Sequence, residues 1–112
     1  MSILDEGIKA FDAGNYSDAY SILIALAEMG NAQAQCYIAS MYQLGLGVQV
    51  DGIKAVEWYT KAAKQEIKEG FISAIAYNNL ATIYIADTPS ILPDRKLAKK
   101  YQQKARELGF EM

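Results

Sequence analysis

A chain of 112 residues is long enough for one domain with a continuous but small core, and its 52% hydrophobic content is too high for a disordered polymer. A net charge of −2 gives no global field to draw in nucleic acid. The absence of histidine removes the commonest general base and metal ligand.

No run of 18 apolar residues occurs, so no transmembrane helix is expected. The opening MSILDEGIKA lacks a basic stretch followed by an apolar one, so no signal peptide is expected either. The single cysteine, Cys36, excludes an internal disulfide and suits a reducing compartment. These points together lead to an expected cytoplasmic location. Asn15-Tyr16-Ser17 is formally a glycosylation acceptor, which matters only in a secreted chain.

The first predicted hairpin opens with Ile3, Leu4, Ile8 and Phe11 on one side of a short helix. Ala13-Gly14-Asn15-Tyr16 turns the chain tightly. A second helix over 16–29 carries Ala19, Ile22, Leu23, Leu26 and Ala27 inward, and Gly30-Asn31 ends it.

The middle hairpin, Ala34 to Ala63, is the most regular. Ala34, Tyr37, Ile38, Met41 and Tyr42 recur at helical spacing, and Ala39 leaves room for a close helix approach. The glycines of Leu44-Gly45-Leu46-Gly47-Val48 suit an exit through left-handed backbone. Asp51 is placed to cap the next helix. That helix bears Ile53, Val56, Trp58, Tyr59, Ala62 and Ala63 as its apolar stripe, with Lys54, Glu57, Lys61 and Lys64 between. Trp58, the largest ring, is expected in the junction between hairpins.

The third hairpin is an eroded copy. Adding 42 carries Ala34, Ala39 and Tyr42 onto Ala76, Ala81 and Tyr84; adding 43 carries Asp51, Ala55, Trp58, Lys61 and Ala62 onto Asp94, Ala98, Tyr101, Lys104 and Ala105. The surplus residues fall mostly in 65–70 and are expected to lengthen the preceding helix by a turn. The double-glycine loop is replaced by Ala86 to Pro93, with prolines fixing the turn. The last helix places Leu97, Ala98, Tyr101, Ala105 and Leu108 inward and ends at Leu108-Gly109-Phe110, with the phenylalanine expected to fold back.

The middle hairpin closely resembles the Sel-one-like repeat, a relative of the tetratricopeptide repeat. Ala34, Ala39, Tyr42, Gly45, Gly47, Val48, Asp51, Lys54, Ala55, Trp58, Tyr59, Lys61, Ala62 and Ala63 carry the resemblance. In the first hairpin Gly7, Ala19 and the turn Gly14-Asn15-Tyr16 are similar to the ordinary tetratricopeptide pattern. The distance from Ala19 to Ala55 is the period expected of such repeats. The resemblance implies an all-α, right-handed superhelix of about three antiparallel helix hairpins, with repeats over about 1–30, 31–69 and 70–110 of one domain. It implies a non-enzymatic adaptor or scaffold for protein partners, in the style of bacterial members, with no catalytic residue, metal or cofactor. Both outer hairpins depart from the consensus, as terminal repeats do; the rival reading is a fragment of a longer stack.

In such stacks the first helix of each pair lines a concave groove. By that analogy the groove presents Gln33, Cys36, Tyr37, Ser40 and Gln43 from the middle hairpin, Asn78, Asn79 and Thr82 from the last, and Leu4, Asp5 and Ile8 from the first. The middle and last hairpins offer no base there, so a carboxylate terminus is not the expected ligand. Tyr37 is the expected anchor for a peptide. Two adjacent asparagines gain a helix nothing; Asn78 and Asn79 either bridge a neighbouring backbone or face a ligand.

Cys36, flanked by Tyr37 and Ile38, reads as a small packed or groove-lining residue. Glu66 and Glu69 sit among Lys64 and Lys68 as a solvated face, and Gly45-Leu46-Gly47 lacks the strand and lysine of a phosphate loop. Charge is uneven along the chain: six acids against one base in residues 1–52 leave −5, and ten bases against seven acids in the remainder leave +3. The basic last helix, with Arg95, Lys96, Lys99, Lys100, Lys104 and Arg106, reads as a solvated face rather than a nucleic-acid or membrane surface. Weak head-to-tail self-association between the oppositely charged ends is expected.

Overall fold

The structure is a computed structural model, and it describes residues 2–66 and 71–109. Six helices follow one another: α1 (Ile3–Asp12), α2 (Tyr16–Glu28), α3 (Ala32–Leu44), α4 (Gly52–Lys64), α5 (Ile72–Ile85) and α6 (Arg95–Glu107). No strand occurs among the described residues. Each helix packs against the next, and α3 also meets α5, giving an elongated stack of 39 × 30 × 22 Å. The all-α solenoid of three hairpins is therefore as the residue spacing indicates. None of the helices is long and apolar enough to cross a membrane.

Local chemistry sets the helix ends. Ser2 and Asp5 form a reciprocal capping box at α1. Asn31, Asp51 and Asp94 each accept the N–H three residues on, at 2.9–3.0 Å. Gly45 and Gly47 both take left-handed backbone, with φ of 71° and 74°.

The eroded third hairpin keeps the geometry of the second. The Asp51 N–H donates to the Tyr42 carbonyl at 2.8 Å, and the equivalent Asp94 N–H donates to the Tyr84 carbonyl at 2.8 Å. Ser90, the counterpart of Gly47, has a φ of 69°. Proline alone does not make that turn: Pro89 enters it, Ser90 takes the left-handed position, and the Ile91 N–H closes it on the Thr88 carbonyl at 3.1 Å.

The core is a row of small residues with larger ones between them. Ala19, Ala34, Ala39, Ala55, Ala62, Ala63 and Ala76 are fully buried beside Leu23, Ile38, Met41, Leu80 and Ile83. Gly7 belongs with them, because a Cβ there would lie 2.6–2.7 Å from the Leu23 side chain. At the far end of the hairpins, buried Gln35 donates to the Ala27 carbonyl at 3.1 Å and accepts from Gln65, which also donates to the Gly30 carbonyl.

Three expectations need correction. Ile53 is not in the apolar stripe of α4; it is 53% exposed, one position out of phase with Ala55, Tyr59 and Ala62. Trp58 is only half-buried, with Lys61 Nζ 4.4 Å from its ring centroid, and the fully buried aromatic is its neighbour Tyr59. The surplus residues after position 64 do not extend α4. It stops at Lys64, Gln65 caps it, and Glu66 turns away with a φ of 50°. Gly109 takes the left-handed position foreseen for it, with a φ of 101°; the fold-back of Phe110 lies outside the described residues.

Candidate functional site

Tyr59 organises the middle of the stack. Its ring is buried from α4, and its hydroxyl reaches through to the α3–α5 side. There it donates to Gln43 Oε1 at 3.0 Å and shares a 2.7 Å hydrogen bond with Ser40 Oγ. The Asn79 side-chain amide bonds the same hydroxyl. With Tyr59 donating to Gln43, the other two donate to it. Three of the sequence-derived groove residues, from two hairpins, are thus held by one buried phenol.

Beside this cluster α3 and α5 bound a cleft of about 250 Å³. Of the sequence-derived residues, Gln33, Cys36, Tyr37, Ser40 and Asn79 line it together. Gln43 stands one step away, on the Tyr59 hydroxyl. Asn78 and Thr82 are not among the lining residues; Thr82 Oγ1 donates back to the Asn78 carbonyl at 3.1 Å. The first hairpin does not reach the cleft either: Asp5 is committed to the α1 cap, and Leu4 packs on the core. Asn79 meets the Tyr59 hydroxyl rather than a neighbouring backbone, and it also lines the cleft. Ile72 and Ile75 also line it, and the reading from sequence did not include them. The apolar residues on nearly every side of α5 left no stripe to single them out.

Tyr37 is less free than an anchor should be. Its ring meets Phe11 edge-on, with centroids 5.0 Å apart, so it also fastens α1 to α3. Cys36 is held unreactive: burial pushes its thiol up to about 12, far from the thiolate a nucleophile or metal ligand requires. Among the described residues no group of three His, Cys, Asp or Glu side chains gathers to hold a metal.

The Cys36 thiol and the Tyr59 hydroxyl are expected to make the fold alkali-sensitive. Burial raises the Tyr59 hydroxyl to about 12, against the lowering effect of its bonds from Ser40 and Asn79. The unfolded phenol ionises near 10 and the thiol near 9, so above those values the unfolded chain releases protons that the folded chain keeps. Stability is therefore expected to be flat up to about pH 9 and to fall from there through about pH 12. Denaturant melts along that range check it; Tyr59→Phe should flatten the fall above pH 10, and an unchanged profile would remove the assignment.

A model of the Sel1 repeat matches residues 32–66 and 74–110, the second and third hairpins. The crystal structure of a Sel1 repeat protein from Oxalobacter formigenes is similar, with a TM-score of 0.80 and 32% sequence identity. That similarity covers 96% of this chain and 40% of the other, so the present chain spans about two fifths of that protein's length. No curated protein matches the sequence.

Proposed function

This chain belongs to the Sel1 repeat family, and on that premise we propose that it is an adaptor module holding a segment of a protein partner in the α3–α5 cleft. Sel1 repeats generally mediate protein–protein interactions and are typically non-enzymatic. The observation that carries the finer reading is the cleft itself. It presents amides and hydroxyls from Gln33, Ser40 and Asn79 around the apolar side chains of Ile72 and Ile75, with Ile75 39% exposed. No charged side chain is among its lining residues. A carboxylate would lose its hydration there without a compensating charge. An uncharged stretch of peptide would gain on both counts: its backbone meets the amides, and one apolar side chain covers Ile72 and Ile75. We place this binding in a reducing compartment, the cytoplasm, in keeping with a single buried thiol.

The variant that tests the cleft is Ile75→Asp. It adds a charge to an exposed position that the core does not use, so the melting temperature should move by no more than a degree or two. Partner affinity, measured by calorimetry with a partner recovered from the source cell, should drop at least tenfold. Tyr37→Ala and Asn79→Ala are poorer probes because each also removes a contact inside the stack. Light scattering belongs in the same experiment. A mass that rises with concentration and returns to monomer in Ile75→Asp would assign the cleft to a second copy. Full affinity in Ile75→Asp would take the partner off this cleft altogether.

A further inference from the structure

On the opposite side of the stack, α4 and α6 leave a second cleft of about 190 Å³ with α5 as its floor. Its rim carries Lys64 from the end of α4 and Lys100 and Lys104 from successive turns of α6. Its wall includes Thr60, and its floor is apolar and aromatic, formed by Leu80 and the stacked pair Tyr77 and Tyr101, whose ring centroids lie 5.7 Å apart.

The charge of this cleft is specific. Lys104 has one partner, Glu66, at 3.7 Å. Among the described residues Lys64 and Lys100 have no ion pair. Three ammonium groups against one carboxylate leave a local charge of +2. Three ammonium groups around a hollow repel one another, and nothing in the packing of α6 on α5 requires them there. The tyrosines already fill the helix contact: Tyr101 lies against both Tyr77 and Tyr84.

We infer that the cleft between α4 and α6 is an anion site for a phosphate monoester carried on an apolar or ring-bearing stem. Three features select that chemistry. A phosphate monoester carries about −1.5 to −2 at pH 7, which matches the +2 of the rim. Its three terminal oxygens can accept from separate ammonium groups and from Thr60, whereas one carboxylate offers half the charge and a two-oxygen fork better suited to arginine. The half-buried ring of Tyr101, backed by buried Leu80 and Tyr77, gives the stem an aromatic surface to cover. The site is separate from the uncharged α3–α5 cleft and stands whether or not that cleft binds peptide.

The probe is phenyl phosphate, titrated into the folded chain and followed by backbone amide NMR shifts. Phenyl sulfate is its control, having the same shape with a single negative charge, and inorganic phosphate lacks the stem. Phenyl phosphate is expected to bind at least tenfold more tightly than phenyl sulfate, and more tightly than inorganic phosphate. Its shifts should centre on Thr60, Leu80 and Lys100. Affinity should weaken as pH falls through about 6, where the second phosphate proton returns. Lys100→Gln, at an exposed position, should cut the affinity at least fivefold with an unchanged spectrum elsewhere. Equal affinity for phosphate and sulfate esters, or shifts scattered over all the lysines of α6, would reduce the cleft to a general basic surface and overturn the assignment. Binding undiminished in both Lys100→Gln and Lys64→Gln would do the same.

Discussion

Tyr59→Ala is expected to destabilise the protein by about 3–5 kcal/mol, the range for removing a fully buried aromatic side chain. Against a total of roughly 5–15 kcal/mol for a domain of ordinary stability, that is a large share. The ring has no exposed surface, so its loss leaves a cavity between α3, α4 and α5 that no side chain can fill from solvent. The hydroxyl adds a separate cost. Without it the groups of Ser40, Gln43 and Asn79 that meet it lose a partner together. Tyr59→Phe isolates that part and should cost about 0.5–1.5 kcal/mol, the net worth of a typical hydrogen bond, because the part-buried groups left behind can turn to water in the cleft. Trp58→Ala, next door, should cost only about 1–2 kcal/mol, because the indole is half-solvated and its cation–π contact with Lys61 contributes about 1 kcal/mol at most at an exposed site. Chemical denaturation of the three variants gives the ranking. If Trp58→Ala proved the most damaging of them, the phase assigned to α4 would be wrong.

The second large effect lies in a loop. Gly47→Ala should cost about 2–4 kcal/mol although the residue is exposed and makes no side-chain contact. Two penalties combine there. The backbone is left-handed at φ 74°, which costs an L-residue about 1–2 kcal/mol. The new Cβ would also lie 2.8–3.0 Å from Tyr16, two of the three contacts being to its backbone, so the loop of the second hairpin would have to lift off the first. Ser90 provides the converse test. It holds the same left-handed position in the third hairpin with a side chain attached. Ser90→Gly should stabilise by about 0.5–1 kcal/mol, the relief of strain less the added flexibility of the unfolded chain. Thermal melts moving in opposite directions are the expected signature. An unchanged melt for Gly47→Ala would mean that the loop does not sit on Tyr16.

The contrast between these positions explains what could be read from sequence. Repetition made the fold legible: Asp51 and Asp94, Tyr42 and Tyr84, and Ala55 and Ala98 recur at offsets of 42 and 43, and equivalent residues make equivalent bonds. Where a reading rested on size alone, it failed. Trp58 is larger than Tyr59, yet the small buried residues Ala55, Ala62 and Ala63 fix the inward phase: Tyr59 lies three or four residues from all of them, whereas Trp58 lies five from Ala63. The end of α4 was hidden because nothing in a lysine- and glutamate-rich stretch announces that Glu66 turns left-handed. On α3, Gln33, Cys36, Tyr37 and Ser40 of the residues named by analogy line one cleft, and Gln43 does not. Ile72 and Ile75 escaped because α5 is apolar on nearly every side, so its cleft-facing residues do not stand out as a stripe. Function was legible only as far as the family: the same spacing that announces a Sel1 repeat is what packs the hairpins, and it leaves the choice of partner to positions outside the pattern.

Because each helix packs on its immediate neighbours, with the α3–α5 contact as the main bridge beyond them, the chain need not open all at once. Amide hydrogens would report this as a gradient of exchange rates. Those of α3 and α4, flanked on both sides and stapled by Gln35 and Gln65, should exchange slowest, at the rate of global unfolding. Those of α1 should exchange faster, since α1 packs chiefly on α2 and reaches the middle hairpin through Phe11 on Tyr37. Any molecule that bridges α3 and α5 would then slow exchange well outside its own footprint, by holding together the two hairpins whose separation is the next step of opening.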